Sequence, residues 1–134
     1  MLLNKNTKNF LLIATLMMAL SIAIGAFGAH GLKATTDEYM MAIYNTGVEY
    51  QFYNTLGLFG IAFITYLLPK SRKIVVAGYM LFIGTLIFSI SLYLLVLLKL
   101  SWLGAITPIG GTLMIISWMT VFFVVLKEIK IERN

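Results

Sequence analysis

The chain has no cysteine, one histidine and two prolines, and only 11% of its 134 residues carry a charge. A soluble domain carries about 25% charged residues. Without cysteine there is no disulfide framework, no thiol nucleophile and no zinc-thiolate site. A lone histidine leaves little material for a metal centre, which generally takes three or four ligands. The shortage of charge, with so much apolar residue around it, excludes a disordered chain. It also argues against a soluble globular domain, because a small protein has too much surface for so few charges to cover.

What fills the chain instead is apolar: 60% of the residues are hydrophobic and 13% aromatic. The charges cut it into long uncharged runs, Asn9 to Leu32, Tyr50 to Pro69, Ile74 to Leu98 and Leu100 to Leu126. Each run reaches the ~20 residues that a helix needs to cross ~30 Å of hydrocarbon. Leu92-Tyr93-Leu94-Leu95-Val96-Leu97-Leu98 shows none of the alternation of a membrane barrel. The first run follows Lys5 and Lys8 and ends in small residues, as a secretory leader does. It is longer than the ~7–15 residues of a leader core, so it is read as a retained helix. The sequence thus predicts an all-α membrane protein, one domain over 1–134. Its four-helix transmembrane bundle has spans near 10–30, 48–68, 73–98 and 102–126.

Lys and Arg set the expected orientation. Lys5, Lys8, Lys70, Arg72, Lys73, Lys127, Lys130 and Arg133 fall on one side of such a bundle, Lys33 and Lys99 on the other. Basic loops stay inside, so both termini are expected in the cytoplasm of a multi-pass cell-membrane protein. The net charge of +5 is then a topology signal and an attraction to anionic lipid. Nucleic acid is not an expected partner, because no basic patch is interleaved with aromatics on a soluble face.

Thr35-Thr36-Asp37-Glu38 fits a capping box, with Thr35 as N-cap. Met40, Ile43, Tyr44, Gly47 and Val48 follow at helical spacing. A short interfacial helix is expected there, entering the second span directly or through a bend at Gly47. Tyr39, Tyr44, Tyr50, Phe52, Tyr53 and Trp102 suit the headgroup belt.

Depth along each span places the polar residues near the outer face. These are His30 ending the first helix, Glu49, Gln51 and Asn54 beginning the second, Ser89, Ser91 and Tyr93 in the outer half of the third, and Thr107 beginning the fourth. Lone polar groups are costly in hydrocarbon, so these are expected to face one another in a single cluster. The inner half reads as almost purely aliphatic and aromatic. Ser21, Gly25 and Ala29 form a small-residue stripe that allows close helix approach, with Gly28 beside it. Pro108, Gly110 and Gly111 are expected to distort the fourth helix, with the Thr107 hydroxyl satisfying a freed carbonyl.

Gly25-Ala26-Phe27-Gly28-Ala29-His30-Gly31-Leu32, Tyr50-Gln51, Phe88-Ser89 with Ser91-Leu92-Tyr93, Thr107-Pro108-Ile109-Gly110-Gly111 and Trp118 come in a characteristic order and spacing. In these the chain resembles domain-of-unknown-function family 423, also called uncharacterised protein family 0382. The resemblance runs from roughly residue 10 to 126. It implies a small four-helix membrane protein of bacterial type, with a eukaryotic relative named transmembrane protein 256, and implies no particular activity. The family often has His where this chain has Asn54, and Gly where it has Ile90.

His30 reads either as a proton acceptor or metal ligand or as a helix-terminal residue bonding loose carbonyls. Glu49 reads either as a proton or cation carrier or as an interfacial carboxylate. Gln51, Asn54, Ser89, Ser91 and Tyr93 read first as interhelical hydrogen-bond ties. No nucleophile elbow or triad context accompanies the serines, so no enzyme, metal or cofactor is expected. Two functions remain. One is a structural or accessory membrane component, docking a membrane-protein partner or a second copy. The other is a small-solute or ion transporter or channel acting as an oligomer.

Overall fold

A computed structural model of the chain describes residues 3–130. Arg133, counted above among the basic residues, lies outside them. Four long helices follow one another: α1 Lys5–Phe27, α2 Glu38–Leu67, α3 Arg72–Leu98 and α4 Thr107–Glu128. A π turn, Gly28–Leu32, ends α1, and a 3-10 turn, Ser101–Ala105, precedes α4.

The termini of these helices have local causes. Asn4 caps α1, its Oδ1 accepting from the Thr7 amide at 2.9 Å. Its Nδ2 donates to the Thr65 carbonyl at 3.0 Å, so the same side chain ties the start of α1 to the end of α2. Asp37, not Thr35, caps α2, with Oδ1 accepting from the Met40 amide at 3.0 Å. A carboxylate is a strong acceptor, and it stands where the helix N-terminus favours negative charge. Lys99 ends α3 in the left-handed region at φ 56°. That conformation costs a non-glycine residue roughly 1–2 kcal/mol and turns the chain back toward α4.

The helix expected after Thr35 is present and runs without a break into the segment expected as the second span. Tyr44, Gly47, Gln51, Asn54, Thr55, Leu58, Ile61, Ala62 and Thr65 are the buried residues of a single 30-residue helix. They recur at spacings of three and four, one continuous face of an α-helix. At 1.5 Å per residue α2 is about 45 Å long, well beyond the ~30 Å hydrocarbon thickness. Among the described residues three helical stretches are long and apolar enough to cross a membrane: Lys5–Leu32, Arg72–Leu98 and Ser101–Glu128. The length of α2 suffices for a fourth crossing, but its buried amides and hydroxyls make it too polar to qualify by composition.

The helices run antiparallel in sequence order. α1 packs chiefly on α2, α2 on α3 and α3 on α4, and α1 makes no comparable contact with α4. The bundle is therefore flattened, with α2 and α3 as the central pair. One apolar core lies toward the end holding both described termini, around Phe10, Leu58, Ile61, Ile74 and Leu81. A second lies at the far end around Tyr44, Tyr93, Val96 and Leu103. Outside these cores, Leu12, Leu16 and Ile22 of α1 and Ile115, Phe122 and Leu126 of α4 are exposed. An apolar girdle of that size is a surface for lipid rather than water.

Pro108 produces no kink. It sits in the first turn of α4, where the amide it lacks would have had no intrahelical partner. The close approach expected near it is present and is made by glycines. A Cβ on Gly110 would stand 2.5 Å from the Phe88 backbone nitrogen, and one on Gly84 2.9 Å from the Gly110 carbonyl oxygen. α3 and α4 thus cross backbone to backbone. Gly111 lies half-buried beside the Phe88 ring.

Candidate functional site: an interhelical polar cluster

At the far end the polar residues of α2, α3 and α4 meet. Tyr93 donates its hydroxyl proton to Gln51 Oε1 at 2.7 Å. Ser89 Oγ donates to the Gly47 carbonyl at 2.8 Å. Gly47 permits this approach, since a Cβ there would stand 2.8 Å from the Tyr93 ring. Tyr44 packs on Tyr93 with ring centroids 5.1 Å apart. The Tyr44 hydroxyl crosses to α1 and donates to the Ile24 carbonyl at 2.8 Å. Gly28 makes room for that ring, because a Cβ there would collide with it.

A second strand of the cluster joins α3 to α4. Ser91 Oγ donates to the Phe88 carbonyl at 2.8 Å and lies 2.7 Å from Thr107 Oγ1. The two hydroxyls share a single hydrogen bond, in which either can donate. The contact of Thr107 Oγ1 with the Leu103 carbonyl is longer, 3.4 Å.

Asn54 lies one turn deeper and joins α2 to α4. Its Nδ2 donates to the Tyr50 carbonyl at 2.9 Å and faces Met114 Sδ at 3.1 Å. Its Oδ1 accepts from Trp118 Nε1 at 3.3 Å. Gln51, Asn54, Ser89, Ser91, Tyr93 and Thr107 are thus all buried and tied in three sets, Gln51 with Tyr93 beside Ser89, Ser91 with Thr107, and Asn54 with Trp118.

His30 and Glu49 are not part of the cluster. Both are exposed. Glu49 follows Gly47 and precedes Gln51 by two residues each, which at ~100° per residue turns it to the opposite face of α2. His30 follows the buried Gly28 by two residues, which turns it likewise to the opposite face of its helix end. The only ion pair among the described residues lies at the other end, Lys73 Nζ to Glu128 Oε1 at 3.9 Å. Ala29 is also exposed, so the small face of α1 is Ser21, Gly25 and Gly28, and Ala29 is not in it.

The terminal end is less purely apolar than expected. Thr7 and Thr65 share a buried hydroxyl pair at 3.1 Å. Ser117 Oγ of α4 donates to the Ala77 carbonyl of α3 at 2.6 Å. Nothing in composition marked these residues, which are short hydroxyls inside apolar stretches. Their helical register with Phe10, Ile61 and Met114, respectively, was the available signal.

Chemically the cluster is a set of ties. Each hydroxyl and amide proton named goes to a carbonyl, an amide oxygen, a sulfur or another hydroxyl of the chain. Four long helices, an apolar girdle and inward-turned polar side chains define a small helical membrane protein. The chain belongs to a family described as protein of unknown function (DUF423), whose model matches residues 24–111. It is 39% identical over 120 residues to the UPF0382 membrane protein YwdK of Bacillus subtilis, covering 90% of this chain and 98% of that one. A UPF0382 membrane protein of Staphylococcus haemolyticus is 42% identical over 112 residues, covering 84% and 90%. One from Staphylococcus epidermidis is 41% identical over 120 residues, covering 90% and 97%. No solved structure matches the chain.

Proposed function

We propose that the chain crosses the cell membrane four times, with both ends in the cytoplasm, and acts as a structural or accessory membrane component. The support for α2 as a crossing helix is the direction of its polar side chains. Gln51, Asn54, Thr55 and Thr65 are buried against neighbouring helices, while Leu56, Phe63 and Leu67 face outward. The Lys and Arg asymmetry supports the orientation. The chain contains no cysteine, so single cysteines can be labelled without background. Cysteines replacing Lys5 and Lys130 should resist a membrane-impermeant maleimide in intact cells, and one replacing Thr36 should react. The opposite pattern inverts the topology.

The observation that carries the accessory role is the closure of the cluster. Its hydroxyls are engaged within the chain, Tyr93 with Gln51, Ser89 with Gly47 and Ser91 with Thr107 across helices. A solute site would present such groups to a ligand. The same engagement supports a non-enzymatic reading, since the serine hydroxyls donate to carbonyls and His30 lies exposed elsewhere. A membrane-protein partner or a second copy is then what the protein serves. Gentle purification should recover that companion in stoichiometric amount, and vesicles holding the purified chain should show no flux above empty ones. A saturable solute or proton flux removed by Gln51→Leu would replace this reading with transport. Transport by an oligomer has one observation in its favour: Glu49 exposes a carboxylate on a helix otherwise facing lipid, where a neighbouring copy could receive it.

A further inference from the structure

The turn between α2 and α3 gathers cations where a helix least favours them. Lys70 precedes α3, Arg72 and Lys73 begin it, and its first turn holds no acid. A helix N-terminus carries partial positive charge and unpaired amides, so it attracts anions and disfavours Lys and Arg. α2 meets that demand with the Asp37 cap and Glu38. At α3 the cap position holds Ser71, whose side chain makes no capping bond. Its hydroxyl oxygen is buried and has no hydrogen-bond partner among the described residues. A cleft opens on this turn, lined by Lys70, Ser71, Arg72 and Lys73 and by Glu128 from the end of α4. Three cations there meet one carboxylate, an excess of two positive charges. That carboxylate pairs with Lys73 alone, at 3.9 Å, so Lys70 and Arg72 have no acidic partner among the described residues.

We propose that this cleft binds one phosphate group, held by Lys70, Arg72 and the Ser71 hydroxyl. The excess of positive charge selects an anion. The unpaired hydroxyl and the first-turn amides select one with several acceptor oxygens, which a phosphate has. A guanidinium offers such a group two parallel bonds, and an ammonium adds a point charge. Two sources can supply this chemistry, the headgroup of an anionic phospholipid and free phosphate. The first is close at hand. α3 is long and apolar enough to cross a membrane, so its first turn stands at a membrane surface whichever way α2 runs. The site therefore depends neither on α2 as a crossing helix nor on the choice between accessory and transporter.

The test uses the full chain in neutral detergent, titrated with phosphatidylglycerol or with phosphatidylcholine, and native mass spectrometry reads the lipid retained. Thermal unfolding of each variant verifies that it keeps its fold. If a headgroup is the source, phosphatidylglycerol should bind about tenfold more tightly than phosphatidylcholine, whose choline brings a cation to a cationic cleft. Lys70→Gln combined with Arg72→Gln should abolish that preference. Lys5 and Lys8 are exposed at the same end and line no part of the cleft. Lys5→Gln combined with Lys8→Gln removes the same charge and should change the preference by less than about twofold, because exposed charges at a distance are screened. Ser71→Ala should weaken binding about threefold, the loss of one hydrogen bond, without lowering the unfolding midpoint, since the hydroxyl ties nothing in the protein. Inorganic phosphate separates the two sources. If it raises the unfolding midpoint of the parent chain but not of the Lys70/Arg72 variant, the site takes the free ion. If it does not and the lipid preference holds, the site takes a headgroup. Either result upholds a phosphate site. Equal retention of the two lipids with no response to inorganic phosphate overturns it. So do equal losses in the two double variants, which would mean a diffuse field, and unchanged binding in Ser71→Ala.

Discussion

Tyr93 and Gln51, 42 positions apart in sequence, share a buried hydrogen bond of 2.7 Å that fixes the register of α3 on α2. The phenol supplies the proton and the amide oxygen receives it, so neither group faces lipid unpaired. Tyr93→Phe should lower stability by about 0.6–2 kcal/mol, the range for interhelical bonds in membranes and for a stranded buried partner. Adding Gln51→Leu should cost less than the sum of the single effects, because the second change removes the stranded amide. Denaturation in mixed detergent micelles measures both, and strictly additive losses would show that the pair is not coupled.

The crossing of α3 and α4 makes a sharper demand. Gly110→Ala places a methyl 2.5 Å from the Phe88 backbone nitrogen, where no side chain can give way. A loss of about 1–3 kcal/mol is expected from overpacking. Gly60, with nothing within 4 Å of its Cβ position, is the matched control. Gly60→Ala should be neutral or gain up to about 1 kcal/mol from helix propensity. Equal effects at the two positions would remove the backbone contact as the cause.

Asn54 holds Trp118 through an acceptor 3.3 Å from the indole nitrogen. In a Trp102→Phe background, Asn54→Leu should move Trp118 emission to shorter wavelength as that polar partner disappears. Asn54→His keeps an acceptor and should shift the emission less. Unchanged emission in the leucine variant would mean that the indole bonds elsewhere.

His30 and Glu49 are both exposed and form no ion pair with each other. His30→Ala and Glu49→Gln should each change stability by no more than about 0.5 kcal/mol, as surface substitutions do. Their effects should add. A coupling energy well above that size in a double-mutant cycle, at pH 6 or pH 8, would place them in contact.

The helices themselves were legible because hydrocarbon imposes length and composition on any chain crossing it. The cluster was legible in large part for the same reason: Gln51, Asn54, Ser89, Ser91, Tyr93 and Thr107 sit at compatible depths and have nowhere polar to turn but inward. Depth fixes one coordinate of a residue and says nothing of rotation about its helix. Glu49 shares the depth of Gln51 and points the other way, and His30, two residues past the buried Gly28, does the same. The N-cap passed from Thr35 to Asp37 because several acceptors lay within one turn and the backbone chose between them. Pro108 read as a kink only while α4 was taken to begin at 102. Once Ser101–Ala105 forms its own turn, the proline stands where helices accept it.

The order of packing bears on how the protein is made. α1 rests on α2, α2 on α3 and α3 on α4, so each major contact joins a helix to the one synthesised just before it. A chain leaving the ribosome can therefore fold as successive hairpins, with no early segment held in waiting for a distant mate. α4 is the last to seat, and its arrival buries the hydroxyls of Ser91 and Thr107 together. Before that step the Ser91 hydroxyl has only the Phe88 carbonyl of its own helix as a partner.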